Sequence, residues 1–259
     1  EDRLRVDILE GIPNKKSWKF RPPRLAETFT QPHFAFIEIP NRYSERGVKV
    51  DRPDPFMVRA MSRMTLPKGK KRILLRARNA ARLYIDDKLV AKTDFHRITN
   101  SGHDIVYDVD LSLAPNIRPL HRGDTEQVVD YTGDGKPHRI RFEMIVGGSR
   151  HRPDFGETAV FIGNPGEDFQ LLTPSDQVVM LTDADWLPFE REYRYSLIAV
   201  NAARRREASA KEDQYWESRH QLAKAEILKQ PQVKVPAAVK GLRANNAIDH
   251  FINQRLAKE

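Results

Sequence analysis

Residues 82–91, Arg-Leu-Tyr-Ile-Asp-Asp-Lys-Leu-Val-Ala, read as two short strands joined by a tight acidic turn. Leu83 and Ile85 share one face of the first strand and Tyr84 takes the other. On the return strand Leu89 and Ala91 are expected to be buried together. Period-two burial is the mark of a half-buried antiparallel sheet. The turn centres on Asp86-Asp87, where Asp-Gly would be the easier choice. Aspartate tolerates positive φ better than most residues, so the hairpin forms without a glycine. The stretch points to a β-sandwich binding module and to no particular reaction.

The flanking sequence extends the β pattern. Residues 72–78 are apolar and β-compatible, and residues 104–111 alternate, with Ile105, Tyr107 and Val109 opposite Asp104, Val106, Asp108 and Asp110. A turn at Gly133-Asp134-Gly135-Lys136-Pro137 leads into His138 to Val146, which places Ile140, Phe142, Met144 and Val146 on one face. Thr158 to Ile162 and Gln177 to Leu181 are further short apolar runs. Short strands separated by Gly, Pro and Asp turns argue for a mainly β fold, an antiparallel, jelly-roll-like sandwich over residues 56–188. Residues 1–55 are proline-rich and read as an irregular wrap, with one strand from His33 to Ile39 closed by Pro40.

The character changes after Pro188. Residues 190–229 hold neither Gly nor Pro, and Leu197, Val200, Trp216, Ala223 and Ile227 recur at helical spacing. One long helix over 189–230 is the simplest reading, with Asn201 as the one place where it could break. A Pro/Val/Lys linker starts at Pro231. Asn245 or Asn246 then caps a last helix whose apolar face is Ile248, Phe251, Ile252 and Leu256, in a segment 231–259 that opens a following domain. The chain opens on Glu1 rather than Met, and Glu259 falls inside an amphipathic element. Both ends therefore read as those of an internal piece.

Composition narrows the classes. At 259 residues, 39% hydrophobic and 31% charged, the chain suits one or two globular domains, and no apolar run approaches the roughly 18 residues of a membrane span. Cysteine is absent, which excludes disulfides, cysteine-zinc sites, thiol catalysis and haem attachment within these residues. Lys plus Arg is 44 against 36 Asp plus Glu, a net charge of +8. That balance suits an anionic partner or a simply solvated surface. Arg191, Arg194, Arg204, Arg205, Arg206 and Lys211 could stripe a helix for nucleic acid. Three consecutive arginines face three directions on a helix, however, and Glu207, Glu212 and Asp213 offset them, so a solvated helix is the expectation.

These stretches together resemble a known family. Arg72-Ile-Leu-Leu-Arg-Ala-Arg, followed by Ala81-Arg-Leu-Tyr-Ile-Asp-Asp-Lys-Leu-Val, resembles the central hairpin of the anthrax-protective-antigen-type β-sandwich module. Gly135-Lys-Pro-His-Arg-Ile-Arg-Phe-Glu resembles its later long strand, and the likeness covers roughly residues 56–165. Asn246-Ala-Ile-Asp-His-Phe-Ile-Asn-Gln-Arg-Leu is similar to the opening of a cytochrome-associated domain of secreted planctomycete-type proteins. Trp18-Lys-Phe-Arg-Pro-Pro is similar to a segment that precedes that domain. The resemblance implies a periplasmic or secreted multidomain protein, with no cofactor in this chain and haem in a separate upstream domain. Sugar-binding members hold calcium with an Asp-Asp pair just before the Leu-Tyr-Ile strand. Here Arg78-Asn79 stands at that place, and an arginine repels a hard cation that wants carboxylates.

Candidate chemistry is sparse. His96, His103, Asp104, Asp108 and Asp110 carry metal-ligand residue types, but without a tight ligand spacing, and a solvated strand face with its loop is the expectation. Asp183, Asp185 and Glu190 around Trp186 could be paired carboxylates for glycoside hydrolysis with a stacking platform, or acidic residues at a helix entry. Trp18 and Trp216 are expected to be packing anchors, while Trp186 is open to either reading. No Gly-x-Ser-x-Gly and no phosphate-cradling glycine loop is present. The sequence therefore assigns no catalytic residue and no metal ligand, and leaves the ligand-binding residues open. It supports a non-catalytic interaction or carbohydrate-binding-like module that positions neighbouring domains of an extracytoplasmic, cytochrome-linked protein. The expected partners are other domains or subunits of the same complex and a glycan, with no nucleic acid. The alternatives are a structural subunit released by proteolytic processing and a polysaccharide-acting enzyme.

Overall fold

The computed structural model describes residues 2–95, 106, 108–148, 151–230 and 233–259. The chain divides into two compact units, Glu1–Ala208 and Ser209–Glu259. The first is an antiparallel β-sandwich with a helix on one outer face. Its strands are β1 (Leu4–Glu10), β2 (Arg24–Gln31), β3 (Ala35–Phe36), β4 (Arg42–Tyr43), β5 (Lys49–Val50), β6 (Phe56–Thr65) and β7 (Gly69–Ala77). There follow β8 (Ala81–Ile85), β9 (Lys88–Thr93), β10 (Thr125–Gly133), β11 (Pro137–Val146), β12 (Thr158–Gly163) and β13 (Gln170–Leu171). One sheet runs β2-β1-β6-β11-β8-β9. The other runs β10-β7-β12-β13 with β3 on β12, and β4-β5 is a separate ribbon.

Alternation explains the layers. Leu4, Val6 and Ile8 of β1, Val58 and Ala60 of β6, and Phe142 and Met144 of β11 face Ile73, Leu75, Val160 and Ile162 across the sandwich. Leu74 and Phe161 point the other way and meet Trp186, Phe189, Tyr193 and Leu197 of α1 (Asp183–Ala208). The run Ile73-Leu74-Leu75 is continuous because this sheet is buried on both faces, whereas a half-exposed strand would alternate. A smaller cluster, Leu9, Ile12, Met57 and Ile145, lies on the outer face of the first sheet, with Trp18 and Phe20 packed on it.

The opening hairpin forms as the sequence indicates. Asp86 and Asp87 take φ of 48° and 64°, the two positive values that a two-residue primed turn needs. Leu83 and Ile85 are buried. The return strand differs from expectation. Tyr84 pairs with Leu89 but Leu83 pairs with Ala91, so Val90 is an extra residue and the strand carries a bulge. The bulge breaks the two-residue parity, which buries Ala91 and leaves Leu89 half exposed.

Other expectations are corrected. Residues 1–55 are not an irregular wrap, because β1 and β2 form one side of the six-stranded sheet. Leu4, Val6 and Ile8 alternate into the core along β1, ahead of the proline-rich stretch. β2 carries no apolar alternation, being the exposed edge. Of residues 104–111, those that are described form no strand. The single helix over 189–230 is two. α1 starts at Asp183 and takes Pro188 into its body, and α2 spans Ala210–Lys229 after Ser209. An interior proline costs a helix about 3 kcal/mol. The buried side chains on either side of it, Trp186 and Phe189, each return roughly 1.5–3 kcal/mol. Asn201 does not break α1; its side-chain oxygen accepts the Asn41 backbone N–H at 2.7 Å.

The second unit contains α2, which buries none of its residues, and α3 (Ala247–Leu256). Asn246 caps α3 in a reciprocal box with Asp249, and Ile248, Phe251, Ile252 and Leu256 are exposed. Among the described residues no helix is long and apolar enough to cross a membrane.

Candidate functional site

The residue that the sequence marks as anomalous, Arg78, lies at the end of β7 in the wall of a polar cleft of about 720 Å³. β7 ends at Ala77, so the chain turns there and Arg78 leaves the sheet sideways. Its Nε donates to Asp154 at 2.8 Å and its Nη1 to the Arg122 carbonyl at 2.7 Å. Nη1 also stands 3.7 Å from Asp124, a carboxylate with no exposed surface. A guanidinium thus occupies the convergence of two carboxylates and a carbonyl. Those are the oxygen types a calcium ion would take, and an always-charged fork meets them as well. Asn79 is buried beside it. Its side chain donates to the Gly147 carbonyl at 3.4 Å and its carbonyl accepts from Thr93, so it pins the corner and does not face the cleft.

Asp124 is built in. Its Oδ2 accepts the Glu157 N–H at 2.8 Å, and a side chain at Gly156 would meet it at 2.1 Å, so that position requires glycine. His121 approaches Asp124 at 3.7 Å. That carboxylate raises the His121 imidazole above its ordinary value, against the opposing effect of burial. Glu157 is buried and takes Nε and Nη2 of Arg118, and the same guanidinium reaches Asp183. Glu190 lies at the far end of the cleft, paired with Arg194 at 2.8 Å. Burial and the nearby Glu157 raise its carboxyl above the usual range.

Most charges that line the cleft are therefore spoken for. Asp154 belongs to Arg78 and Glu157 to Arg118; Asp54 accepts the Gly148 N–H at 2.5 Å. Arg42 pairs with Glu10, and Arg52 with Glu27. Among the described residues, the lining cations without a partner are Lys49, Arg122 and Arg152, against Asp51 alone on the acidic side. The imidazole of His121 adds to the positive side as it protonates. Beyond Arg78 the site leaves no mark in the sequence, because its other members come from separate loops and from α1.

Several candidate residues are placed elsewhere. Trp186 is fully buried against Phe161 and Phe189 and is no stacking platform. Asp183 and Asp185 sit in the first turn of α1; Asp183 meets Arg118, and Asp185 accepts the Met180 N–H. The helix-entry reading is thus the correct one. Trp18 packs on the outer sheet face under the Arg82 guanidinium, 4.3 Å from its ring. Trp216 is half exposed in α2 and anchors no core. Arg194 and Arg204 of the presumed stripe are tied to Glu38 and Glu27. Of the proposed metal cluster, His96, His103 and Asp104 lie outside the described residues, Asp110 accepts from Ser112, and Asp108 is exposed. Among the described residues no group of three or more acidic, histidine or cysteine side chains could hold a metal ion.

No protein-family model and no curated protein matches the chain. Among solved structures, it is similar to a β-glucosidase from Kluyveromyces marxianus in complex with glucose, at 13% identity and a TM-score of 0.38. That match covers 62% of this chain and spans only 15% of the enzyme's length. A PA14 sugar-binding domain from an RTX adhesin matches at 9% identity over 66% of this chain and 94% of that domain, with a TM-score of 0.39. The Epithelial Adhesin 9 A domain from Candida glabrata, in complex with Galβ1-3GlcNAc, matches at 10% identity over 71% of this chain and 90% of that one, again at 0.39. Likenesses this weak transfer neither a ligand nor a site to this chain.

Proposed function

We propose that this chain is a non-catalytic binding module whose polar cleft takes an acidic saccharide without a metal ion. The observation that carries the reading is the charge pattern of the cleft. Arg78 fills the cation position permanently, and Arg122 and Arg152 are left unneutralised beside it. Guanidinium forks recognise carboxylate and sulfate groups by paired hydrogen bonds, so a uronate or sulfated sugar fits this chemistry better than a neutral one. Except for Asp51, the lining carboxylates are engaged by guanidinium or backbone donors, which suits binding rather than proton transfer.

A glycan array spanning uronic, sulfated and neutral saccharides tests this, run with and without a chelator. Retention of acidic saccharides, unchanged by the chelator, supports the reading. Retention of neutral sugars alone, or binding abolished by chelation, overturns it. Hydrolysis of any bound glycan would restore the enzyme alternative. The wider setting, a domain that positions its neighbours in an extracytoplasmic protein linked to c-type cytochrome domains, is proposed on the resemblance of residues 18–23 and 246–256. The exposed apolar stripe of α3 suits such a neighbour. Intact-mass measurement on native material, together with co-purification of a c-type haem protein, tests that setting.

A further inference from the structure

A second cavity, of about 430 Å³, opens between α1 and the end of β2. Its apolar lining includes Phe29, Pro32, Phe189, Tyr193 and Leu197. His33 also lines it; only 7% of the residue is exposed, and Nδ1 of its ring is buried without a hydrogen-bond partner. The ring stands edge-on to Phe189 at 4.8 Å. The lining also carries Arg3, Gln177, Glu192, Ser196 and Arg204, yet a buried polar nitrogen left unpaired is costly, so the retention of His33 beside these rings needs a reason.

The neighbouring polar groups do not supply a partner. The Tyr193 hydroxyl donates to the Glu38 carbonyl at 2.7 Å. The Gln31 amide donates to the His33 and Ala35 carbonyls. Arg3 is bound to Thr30, and Arg204 is paired with Glu27. Burial, with Arg3 nearby, pushes the His33 imidazole down to about 4, so the ring is neutral at pH 7. A neutral ring offers one bare nitrogen and one N–H.

We propose that this pocket binds a small uncharged ligand with an aromatic or alicyclic body and a hydroxyl that hydrogen-bonds to His33. The ring lining suits such a body, and the volume falls within the range of small-molecule sites. A hydroxyl serves either imidazole tautomer, because it donates to a bare nitrogen and accepts from an N–H. A carboxylate could accept only from an imidazole N–H, could not meet a bare nitrogen, and would lose hydration among the aromatic rings.

The test uses the full chain and two probes, 2-naphthol and naphthalene, titrated while amide NMR shifts are followed. The expected result is saturable one-to-one binding of 2-naphthol, about tenfold tighter than naphthalene, since one such hydrogen bond is worth roughly a factor of ten. His33→Phe should bring 2-naphthol down to the naphthalene level. Val200→Trp, which fills the pocket from α1 and leaves His33 in place, should remove both. Absence of saturable binding would show that the pocket holds only water and overturns the proposal. Equal affinity for the two probes, or an unchanged affinity in His33→Phe, overturns it too. If His33→Phe does not fold, Val200→Trp and the comparison of the two probes still decide.

Discussion

Arg76 and Arg78 lie two residues apart, yet the fold gives them opposite tasks. Arg76 is on β7, 1% exposed, under the loop that follows Ala114. Its Nε and Nη2 donate to Glu126 at 3.0 and 2.9 Å, its Nη1 to the Pro119 carbonyl, and its Nη2 again to the Arg118 carbonyl. Every direction of the fork is filled by protein, so Arg76 fastens a long loop to the sheet. Arg78 follows the strand's end, pairs with two carboxylates and keeps one side toward the cleft. The same residue type is a fastener where the sheet closes over it and part of a cleft wall where the sheet stops. What separates them is whether the strand still has a covered face at that position.

The comparison predicts a ranked set of effects. Arg76→Ala should have the largest, a destabilisation of about 3–5 kcal/mol, because it strands buried acceptors without a donor. A denaturant titration reads it, and Arg76→Lys should also unfold at lower denaturant because it keeps the charge and loses the fork. Neither change should alter saccharide affinity per folded molecule. Arg78→Ala should cost less, roughly 1–3 kcal/mol, since water from the cleft can replace part of what Asp154 and Asp124 lose. It should also weaken the acidic saccharide, which Arg76 variants do not. If Arg78→Ala leaves glycan binding intact, the distinction between the two arginines fails.

The double variant Arg122→Ala with Arg152→Ala should stay within about 0.5 kcal/mol of the parent in stability. It should lower saccharide affinity and flatten its salt dependence, as isothermal titration at two ionic strengths would show. A stability loss as large as that of Arg78→Ala would mean that these cations have structural work.

The smallest effect lies at the His138 turn and tests whether ordinary surface pairs behave differently. The His138 ring meets Asp86 at 2.6 Å and Asp134 at 2.9 Å, which ties the turn of the 82–91 hairpin to the turn before β11. Hydrogen bonds that the ring donates to these carboxylates raise the imidazole, and the carboxylates are lowered in return. The raised histidine stabilises fully below its ordinary 6.5 and loses that contribution as pH rises through its higher folded value. The lowered aspartates stabilise above their ordinary 3.8 and lose it as pH falls. The contribution is therefore greatest in mildly acidic solution. His138→Gln should flatten the dependence of the urea midpoint on pH across neutrality, and an unchanged profile would mean that the contacts are energetically silent.

Much of this was legible in the sequence. Ile140, Phe142, Met144 and Val146 alternate because they share the sandwich core. Asp86-Asp87 states its turn without glycine, and the Asn245-Asn246 pair announces the cap of α3, which Asn246 makes. Each of these rests on spacing or on a side chain acting on its own backbone, which is local information. The rest was not local. The bulge at Val90, which exposes Leu89, depends on register with β8. The burial of Trp186 depends on a sheet face formed by β7 and β12 more than twenty residues away, and it also carries α1 across Pro188. The cleft depends on β5 and the loop segments 51–54, 121–122 and 152–157 being brought against α1 at 190–194. Chain spacing alone determined the 82–91 hairpin, the core face of β11 and the helical character of the segment after Pro188. Only tertiary packing decided which arginine is covered, which tryptophan is core and which cations remain free, because burial and pairing belong to surfaces that distant segments make together.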